Sequence, residues 1–290
     1  MLALLALTAC HTPCPPGDGP LELRQIDLGS TSIGESTLVT LPHGSTLLID
    51  VGNDGHDDDI RERLAGPVDW LLVTHDHEDH AGGLDDLEDA LADATRIDAP
   101  GSWDLGGATL EIFLHDGWLR TVDGDVDLTA EVPGMAEDPN AMSSAGVLRY
   151  GDFAYLFAGD LTGGGKETPD VESAVAAYAP EVGRVDLLHV SHHGIRTATN
   201  DTWMDWLLPD DGQTRNAVVG ANSAYLAAPA QEVLDRLAPR LGDGFVWLTR
   251  GGSLAGDHER LVELKDDVVV TVEEGGHAYA VCGEVFDSTR

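Results

Sequence analysis

The sequence has few basic residues. Among its 290 residues, 16 are Lys or Arg and 52 are Asp or Glu, which gives a formal net charge of -36. Proteins hold nucleic acids largely through Lys and Arg contacts with phosphates, so this charge disfavours tight, non-specific binding of a long polyanion. We interpret the acidity as a source of solubility, or as adaptation to a salty medium, rather than as an acid-specific function.

Long hydrophobic runs are also absent. No stretch of about 20 apolar residues occurs, which excludes an ordinary transmembrane helix. Hydrophobic residues still make up 42% of the chain, enough for a real core and too many for a disordered acidic polymer. No internal repeat with a period of roughly 20–50 residues is present, so a solenoid is not expected.

Cysteine is scarce, with residues only at positions 10, 14 and 282. The opening MLALLALTAC is a short apolar run that ends at Cys10, and it resembles a bacterial lipoprotein signal that is cut before a lipidated cysteine. We therefore expect residues 1–20 to be a lipoprotein signal and linker, and the protein to be exported, either membrane-anchored or periplasmic. In an exported protein Cys14 and Cys282 can pair, and two free thiols are the alternative.

The composition and hydrophobic pattern of residues 21–290 are typical of one globular domain in which strands and helices are mixed. Apolar runs predict strands in segments 21–29, 36–52, 68–75, 108–115, 144–151, 153–160, 185–194, 216–222, 244–249, 268–274 and 277–281. Helical spacing predicts helices in segments 57–66, 84–95, 171–182 and 230–241. Several strands are apolar throughout and need cover on both faces, which indicates a layered α/β fold.

A cluster of metal-ligand side chains follows one of these strands directly. In THDHEDHAGG, residues 74–83, His75 and His77 are two residues apart and face one side of an extended segment. Asp79 and His80 follow where the chain turns towards a helix. Imidazole together with carboxylate suits zinc, manganese or iron rather than calcium. A solvated acidic loop does not account for this strict order of histidines, so the segment predicts a metal site.

The order H-x-H-x-D-H followed by Ala-Gly-Gly resembles the metallo-β-lactamase superfamily. Three later segments fit the same resemblance: Asp50-Val-Gly, Gly-Asp160, and Ser-His192-His193-Gly, each after an apolar strand. The resemblance implies an αββα sandwich and a hydrolase with two divalent metal ions, where zinc suits the histidines and manganese is the alternative.

The motifs resemble most closely the hydrolase domain of ComEC-type competence proteins in a stand-alone form. That pattern has N-x-x-S, Tyr-Gly, Gly-Asp and His-His-Gly-x-x-Thr in order, and it is matched here from Asn140 and Ser143 to Thr197. The resemblance covers roughly residues 21–281. It implies a phosphodiesterase or nuclease, although the net charge makes a short phosphodiester as credible a substrate as polymeric DNA.

The resemblance also implies roles for individual residues. His75 and His77 would bind the first metal, Asp79, His80 and His192 the second, and Asp160 would bridge them. A water between two such ions, about 3.5–4 Å apart, forms a bridging hydroxide near neutral pH.

The remaining roles lie around that centre. Asp79 is also expected to orient the hydroxide, and His193 to contact the substrate or leaving group unless it is structural. Asp50 would support the ligating histidines, with a turn-capping residue as the alternative. Asn140 and Ser143 are candidates for substrate binding, with a simple loop turn as the alternative for Asn140.

Two departures from the family pattern stand out. The loop that supplies a third histidine to the first metal in many relatives carries Asn140 and Ser143 instead. The Tyr-Gly-His-Pro segment of ComEC-type chains is matched by Tyr225-Leu-Ala-Ala228-Pro229, so Ala228 replaces the histidine.

Two alternative functions follow from these departures. One is an ester, lactone or β-lactam hydrolase on the same metals, because the fold does not fix the reaction. The other is a surface lipoprotein with a vestigial metal site that acts as a binding protein.

Overall fold

The computed structural model describes Cys14 and residues 19–31, 34–179, 181–221 and 227–289. The strands are β1 Leu21–Gln25, β2 Thr37–Thr40, β3 Thr46–Ile49, β4 Trp70–Leu72, β5 Thr95–Arg96, β6 Gly101–Asp104, β7 Thr109–His115, β8 Trp118–Thr121, β9 Gly124–Asp127, β10 Ala145–Tyr150, β11 Phe153–Phe157, β12 Leu187–His189, β13 Asn216–Val219, β14 Val246–Leu248, β15 Leu261–Glu263, β16 Val268–Val272, β17 Ala278–Val281 and β18 Glu284–Asp287. The α-helices are α1 Asp57–Arg61, α2 Glu78–Ala81, α3 Glu88–Leu91, α4 Leu128–Glu131, α5 Val171–Tyr178, α6 Asp201–Leu207 and α7 Gln231–Leu237, and 3-10 turns span Gly82–Leu84, Met135–Glu137, His192–Gly194 and Ala238–Arg240.

The strands form two sheets. The first has the order β18-β17-β16-β1-β2-β3-β4-β5, and the second β15-β14-β13-β12-β11-β10-β7-β8-β9, with β6 also paired to β7. Most neighbours are antiparallel, but β3, β4 and β5 run parallel, and so do β11 to β15. Parallel strands all end at the same edge of their sheet, so residues that follow them gather there.

Apolar side chains define four layers. Leu23, Tyr155 and Val218 belong to a core between the sheets. The outer face of the second sheet packs under α5, α6 and α7, where Trp203 is fully buried, and the outer face of the first sheet packs under α1, with Ile60 buried. The expected αββα sandwich is therefore confirmed, and strands such as β11, buried at every position, are the ones covered on both faces.

The helix predicted over residues 84–95 is mostly absent. Only α3 is helical there, after the 3-10 turn at Gly82–Leu84. The leucine stripe still faces inward, since Leu87 is fully buried. The break has a local cause, because the intervening aspartates have low helix propensity and one of them, Asp86, accepts a hydrogen bond from the N–H of Gly55.

Short polar strands were not expected from the sequence. These are β5, β6, β8, β9, β15 and β18. Each has at most two apolar residues and pairs at the margins of the sheets, so its strand conformation depends on neighbouring backbone rather than on its own hydrophobic pattern.

Cys14 and Cys282 form a disulfide, which decides between the two alternatives left open by the sequence. Cys10 lies outside the described residues. In the described part of the chain, no helix has the length and apolarity that a membrane crossing requires.

Glu172 is fully buried at the start of α5. Its two carboxylate oxygens accept hydrogen bonds from the N–H groups of Thr199 and Asn200, both at 2.7 Å, and so hold the loop after His193 against the helix. Burial is the larger influence and outweighs these bonds, so the pKa of Glu172 is raised to about 8.

We expect stability to depend on pH through this group. The folded chain binds the Glu172 proton more tightly than the unfolded one, so the stabilisation is complete below about pH 4.5 and is lost as pH rises through about 8. Glu172→Gln removes this titration and sets an amide against an N–H donor. At pH 5 the free energy of unfolding of the variant should be lower than that of the wild type by roughly 1–3 kcal/mol, and this difference should shrink towards pH 9. Urea unfolding of both proteins across this pH range measures the difference. A difference that does not change with pH would contradict the raised pKa of Glu172.

Candidate metal centre

The predicted ligands meet at the edge where the parallel strands of both sheets end. Asp50 follows β3, and the segment from His75 to His80 follows β4 in the first sheet. Asp160 follows β11, and His192 and His193 follow β12 in the second sheet. The site therefore lies across the two sheets, which is why motifs far apart in sequence come together.

The backbone at this edge takes uncommon conformations. Asp50, His192 and His193 have positive φ angles of 59°, 53° and 52°. Such conformations are unfavourable for residues with a Cβ and persist where the surrounding structure enforces them, typically at functional sites. Gly159 has a φ of 48°, and a Cβ there would lie 2.6 Å from Thr74 Oγ1, so only glycine lets Asp160 approach the first sheet this closely.

Two groups of side chains share the carboxylate of Asp160. Asp79, His80 and His193 form one group with it, and His75 and His77 form the other. Oδ1 of Asp160 lies 3.1 Å from His80 Nε2 and 3.8 Å from His193 Nε2. Oδ2 faces the other group and lies 3.9 Å from His75 Nε2.

The two adjacent histidines of the late motif point to different groups. The resemblance implied that His192 joins Asp79 and His80, but His193 occupies that position, with its Nε2 3.4 Å from Asp79 Oδ2. His192 Nε2 lies 3.4 Å from Asp160 Oδ2, on the side of His75. The cause is the turn after β12, where Nδ1 of His193 faces the carbonyl oxygen of Gly220 at 2.9 Å and draws the ring inward.

Asp50 lies behind His80. One of its oxygens accepts a hydrogen bond from the N–H of Thr74 at 2.6 Å, and the other accepts one from Thr74 Oγ1 at 2.7 Å. The latter oxygen also lies 2.7 Å from Nδ1 of His80. A carboxylate in this place keeps a proton on Nδ1, so Nε2 is the nitrogen left to bind a metal ion.

The charges inside the centre shift the pKa values of its histidines in opposite directions. Burial alone would lower the pKa values of His80 and His193, but the neighbouring carboxylates raise both well above the usual range. Burial alone would raise the pKa of Asp160, but the charges of His80, His193 and His192 hold it well below its usual range. Burial, with the charge of His80, lowers the pKa of His75 to about 4. At pH 7 Asp160 is therefore ionised and His75 neutral, as metal ligands must be, whereas His80 and His193 must each give up a proton when a metal ion binds.

The residues present fit divalent metal ions. Nε2 of His75 is buried and has no hydrogen-bond partner among the described residues, although a buried ring nitrogen normally has one. Imidazoles and carboxylates from two groups converge around Asp160, and this donor set suits zinc or manganese.

The candidate substrate-binding residues lie in different environments. Ser143 is buried, and its Oγ accepts a hydrogen bond from the N–H of Asp160 at 3.2 Å, so it helps to hold that carboxylate. Asn140 has a buried Oδ1 with no hydrogen-bond partner in the described part of the chain. Nδ1 of His115 lies 2.7 Å from Ser144 Oγ, and the N–H of Ser144 donates to the carbonyl of Thr74, beside the centre.

Ala228, where the ComEC-type resemblance leads one to expect a histidine, is fully buried in the core under the helices. The next residues contact the late histidine motif, since the N–H of Ala230 donates to the carbonyl of Gly194 at 2.8 Å. Tyr225 of the same segment lies outside the described residues.

The sequence did not reveal some groups at the centre. Thr74 precedes His75 directly, so its proximity to the site was readable, but its bond to Asp50 was not. Glu35 lies in a polar stretch between two strands and approaches His193 Nδ1 to 3.2 Å. The Gly220 carbonyl is a backbone group and carries no side-chain pattern.

We expect Asp50→Asn to weaken zinc binding by about 10–100-fold, because the amide cannot accept from both Thr74 donors and from His80 Nδ1–H. Titration against a competing chelator measures the affinity. Asp152→Asn is the matched control, since Asp152 contacts Nδ1 of His277 at the surface. Equal affinities for the two variants would contradict the role of Asp50.

A family model for the metallo-beta-lactamase superfamily matches residues 31–203, more than half of the chain. Similar solved structures include Igni18, a novel metallo hydrolase from the archaeon Ignicoccus hospitalis, with 12% identity over 86% of this chain and 98% of that chain and a TM-score of 0.46. Another is the metallo-beta-lactamase fold protein YhfI from Bacillus subtilis, with 11% identity over 86% and 98% of the two chains and a TM-score of 0.43. No curated protein matches the chain. The chain belongs to the metallo-beta-lactamase superfamily.

Proposed function

We propose that the protein is a metal-dependent hydrolase with a dinuclear centre, acting on phosphodiesters as a stand-alone relative of the ComEC-type hydrolase domain. The arrangement of Asp160 carries this proposal. Its two oxygens face different groups of ligand-type side chains, as a carboxylate shared by two ions requires.

Each residue of the centre then has a definite task. His75, His77 and His192 would hold one ion, and the group of Asp79, His80 and His193 the other. When bound, two divalent ions supply Lewis acidity and lower the pKa of a water molecule enough for attack at neutral pH. His192 replaces the third histidine that the sequence lacks in the loop at Asn140.

We assign the handling of the attacking water to Asp79. Asp79 orients the attacking water through its carboxylate. His193 is fully buried, so we assign it to metal binding rather than to contact with substrate.

Two exposed cations favour an anionic substrate. Lys166 lies in the segment after Asp160 and Arg196 in the segment after His193, and a hydrogen bond from the N–H of Gly163 to the carbonyl of Thr197 at 2.7 Å joins the two segments. Neither cation has a carboxylate partner among the residues that the structure describes. Two cations suit a short phosphodiester, whereas a long backbone needs a basic stripe.

We also propose that residues 21–290 form one exported domain behind a leader and linker. The disulfide between Cys14 and Cys282 supports export, because such bonds persist in oxidising compartments. Lipidation of Cys10 would anchor the protein to a membrane.

We expect the full chain to hydrolyse bis(p-nitrophenyl) phosphate after addition of zinc or manganese, and not after treatment with a chelator. His77→Ala should reduce the rate at least about 100-fold, because it removes a metal ligand. His43→Ala is the control, since His43 is exposed in the turn between β2 and β3.

The outcomes separate the alternative functions. The metal-bound protein could cleave p-nitrophenyl esters, lactones or a chromogenic β-lactam but not the phosphodiester. That result would contradict the proposed phosphodiesterase activity. Substoichiometric metal after saturation, with no turnover of any substrate, would indicate a binding protein with a vestigial centre.

The double variant Lys166→Ala/Arg196→Ala should raise KM for the phosphodiester about three- to tenfold at roughly 0.15 M salt, with kcat nearly unchanged, because it removes attraction in the ground and transition states alike. Hydrolysis of a neutral ester should not change. Arg120→Ala, on β8, removes an exposed charge elsewhere and is the control. An unchanged KM for the phosphodiester would exclude the two cations as substrate contacts.

A further inference from the structure

Glu35 is an acidic side chain that the roles above leave unused. It is 3% exposed and lies just before β2. Its N–H donates to the carbonyl of Asp79 at 2.9 Å, and its own carbonyl accepts from the N–H of Gly52 at 3.0 Å. The backbone of Glu35 is thus bonded to both chain segments that carry the acids of the first sheet.

The carboxylate of Glu35 contacts two histidines. Oε1 lies 3.2 Å from Nδ1 of His193, and Oε2 lies 3.5 Å from Nε2 of His189. No described lysine or arginine forms an ion pair with it. A buried carboxylate normally requires a cationic or hydrogen-bonded partner, and the two ion-pair partners of Glu35 among the described residues are these imidazoles.

The surroundings of His193 Nδ1 fix its proton. This nitrogen faces the Gly220 carbonyl oxygen at 2.9 Å and Glu35 Oε1 at 3.2 Å, and both of those groups can only accept a hydrogen bond. Nδ1 must therefore carry hydrogen, and Nε2, which lies 3.4 Å from Asp79 Oδ2 and 3.8 Å from Asp160 Oδ1, is the nitrogen that can give up its proton to a metal ion.

The packing at this point is specific to glycine at position 220. A Cβ there would lie 2.7 Å from Oε1 of Glu35. The close approach allows the carboxylate and the carbonyl to face the same ring nitrogen.

The same arrangement occurs on the other histidine of this group. Asp50 lies 2.7 Å from Nδ1 of His80, whose Nε2 faces Oδ1 of Asp160 at 3.1 Å. Both histidines that face this oxygen therefore have a buried carboxylate on the opposite side of the ring.

We propose that Glu35 is a positioning residue for the metal centre, whose carboxylate holds the proton on Nδ1 of His193 and directs Nε2 towards Asp79 and Asp160. The inference rests on the proposed function, since it assigns His193 as a metal ligand. It adds a group behind the ligand that neither the sequence motifs nor the donor set includes.

The test is zinc affinity of the full chain, measured by chelator competition at each of the two sites, beside long-range 1H–15N spectra of the histidine rings with zinc bound. In the zinc-bound wild type, His193 should carry its only ring proton on Nδ1. Glu35→Gln should weaken one of the two sites about 10–100-fold and leave the other within about threefold. The ring spectrum of His193 should also change, which a merely structural role would not produce.

Two further variants keep the test decisive. Asp186→Asn, at a fully buried acid just before β12 and so at the end of that strand away from His192 and His193, controls for loss of a buried acid and should leave both zinc affinities unchanged. Glu35→Asp keeps the charge but shortens the reach, so positioning predicts a loss like that of Glu35→Gln, and it replaces that variant if the latter does not fold.

The failures of the two proposals are distinguishable. A wild type that binds no zinc would contradict the dinuclear centre itself. A wild type with two zinc sites, whose affinities stay within twofold in both Glu35 variants, would overturn the role of Glu35 alone. Wild-type affinity in Glu35→Asp with loss in Glu35→Gln would also overturn it, since charge rather than placement would then matter.

Discussion

The negative charge of Asp160 is the interaction on which the site depends. The carboxylate is 1% exposed, and its neighbours within ion-pair distance are His75, His80, His192 and His193. A lone buried carboxylate is costly, so the fold brings to Oδ1 the rings of His80 and His193, whose pKa values are raised well above the usual range. Because these histidines come from two sheets, the charge can be balanced only when the sandwich is closed, and the metal centre and the fold are therefore coupled.

The buried acids of this chain differ in what balances them. Asp267 receives hydrogen bonds from Arg24 and Arg63, and Asp27 from Arg250, in ion pairs that tie chain segments together. Glu172 and Asp186 instead accept from backbone N–H groups. Asp50, Asp160 and Glu35 face histidines. Arginine cannot give up its proton near neutral pH, whereas histidine can, so the histidine-balanced acids are the ones suited to exchange a proton for a metal ion.

Much of the fold and part of the site were predictable from sequence, for identifiable reasons. The apolar strands and the cluster from His75 to His80 are local patterns. They are readable from the sequence because residues close together in the chain determine them. The assignment of His192 and His193 was not predictable, because adjacent residues in a turn diverge according to what lies beside them, here the Gly220 carbonyl. Glu35 was hidden for the same reason, since its partner is more than 150 residues away in the sequence. Helix α3 is shorter than its leucine stripe suggested, because periodicity reports which face is buried but not where a helix ends.

The surface charge bears on the size of the substrate in the proposed reaction. Several arginines form ion pairs with carboxylates, as Arg61 does with Asp57 and Asp89. Little unpaired positive charge therefore remains to follow a long phosphate backbone. Repulsion from a net charge of -36 is weak beyond roughly 8 Å at physiological salt, and a small anion meets only the charges close to the centre. A polymer must pass over the whole acidic surface, whereas a short phosphodiester meets only the edge where Lys166 and Arg196 follow the ligands in sequence. The charge distribution thus favours a small substrate without weakening the case for phosphodiester chemistry at the centre.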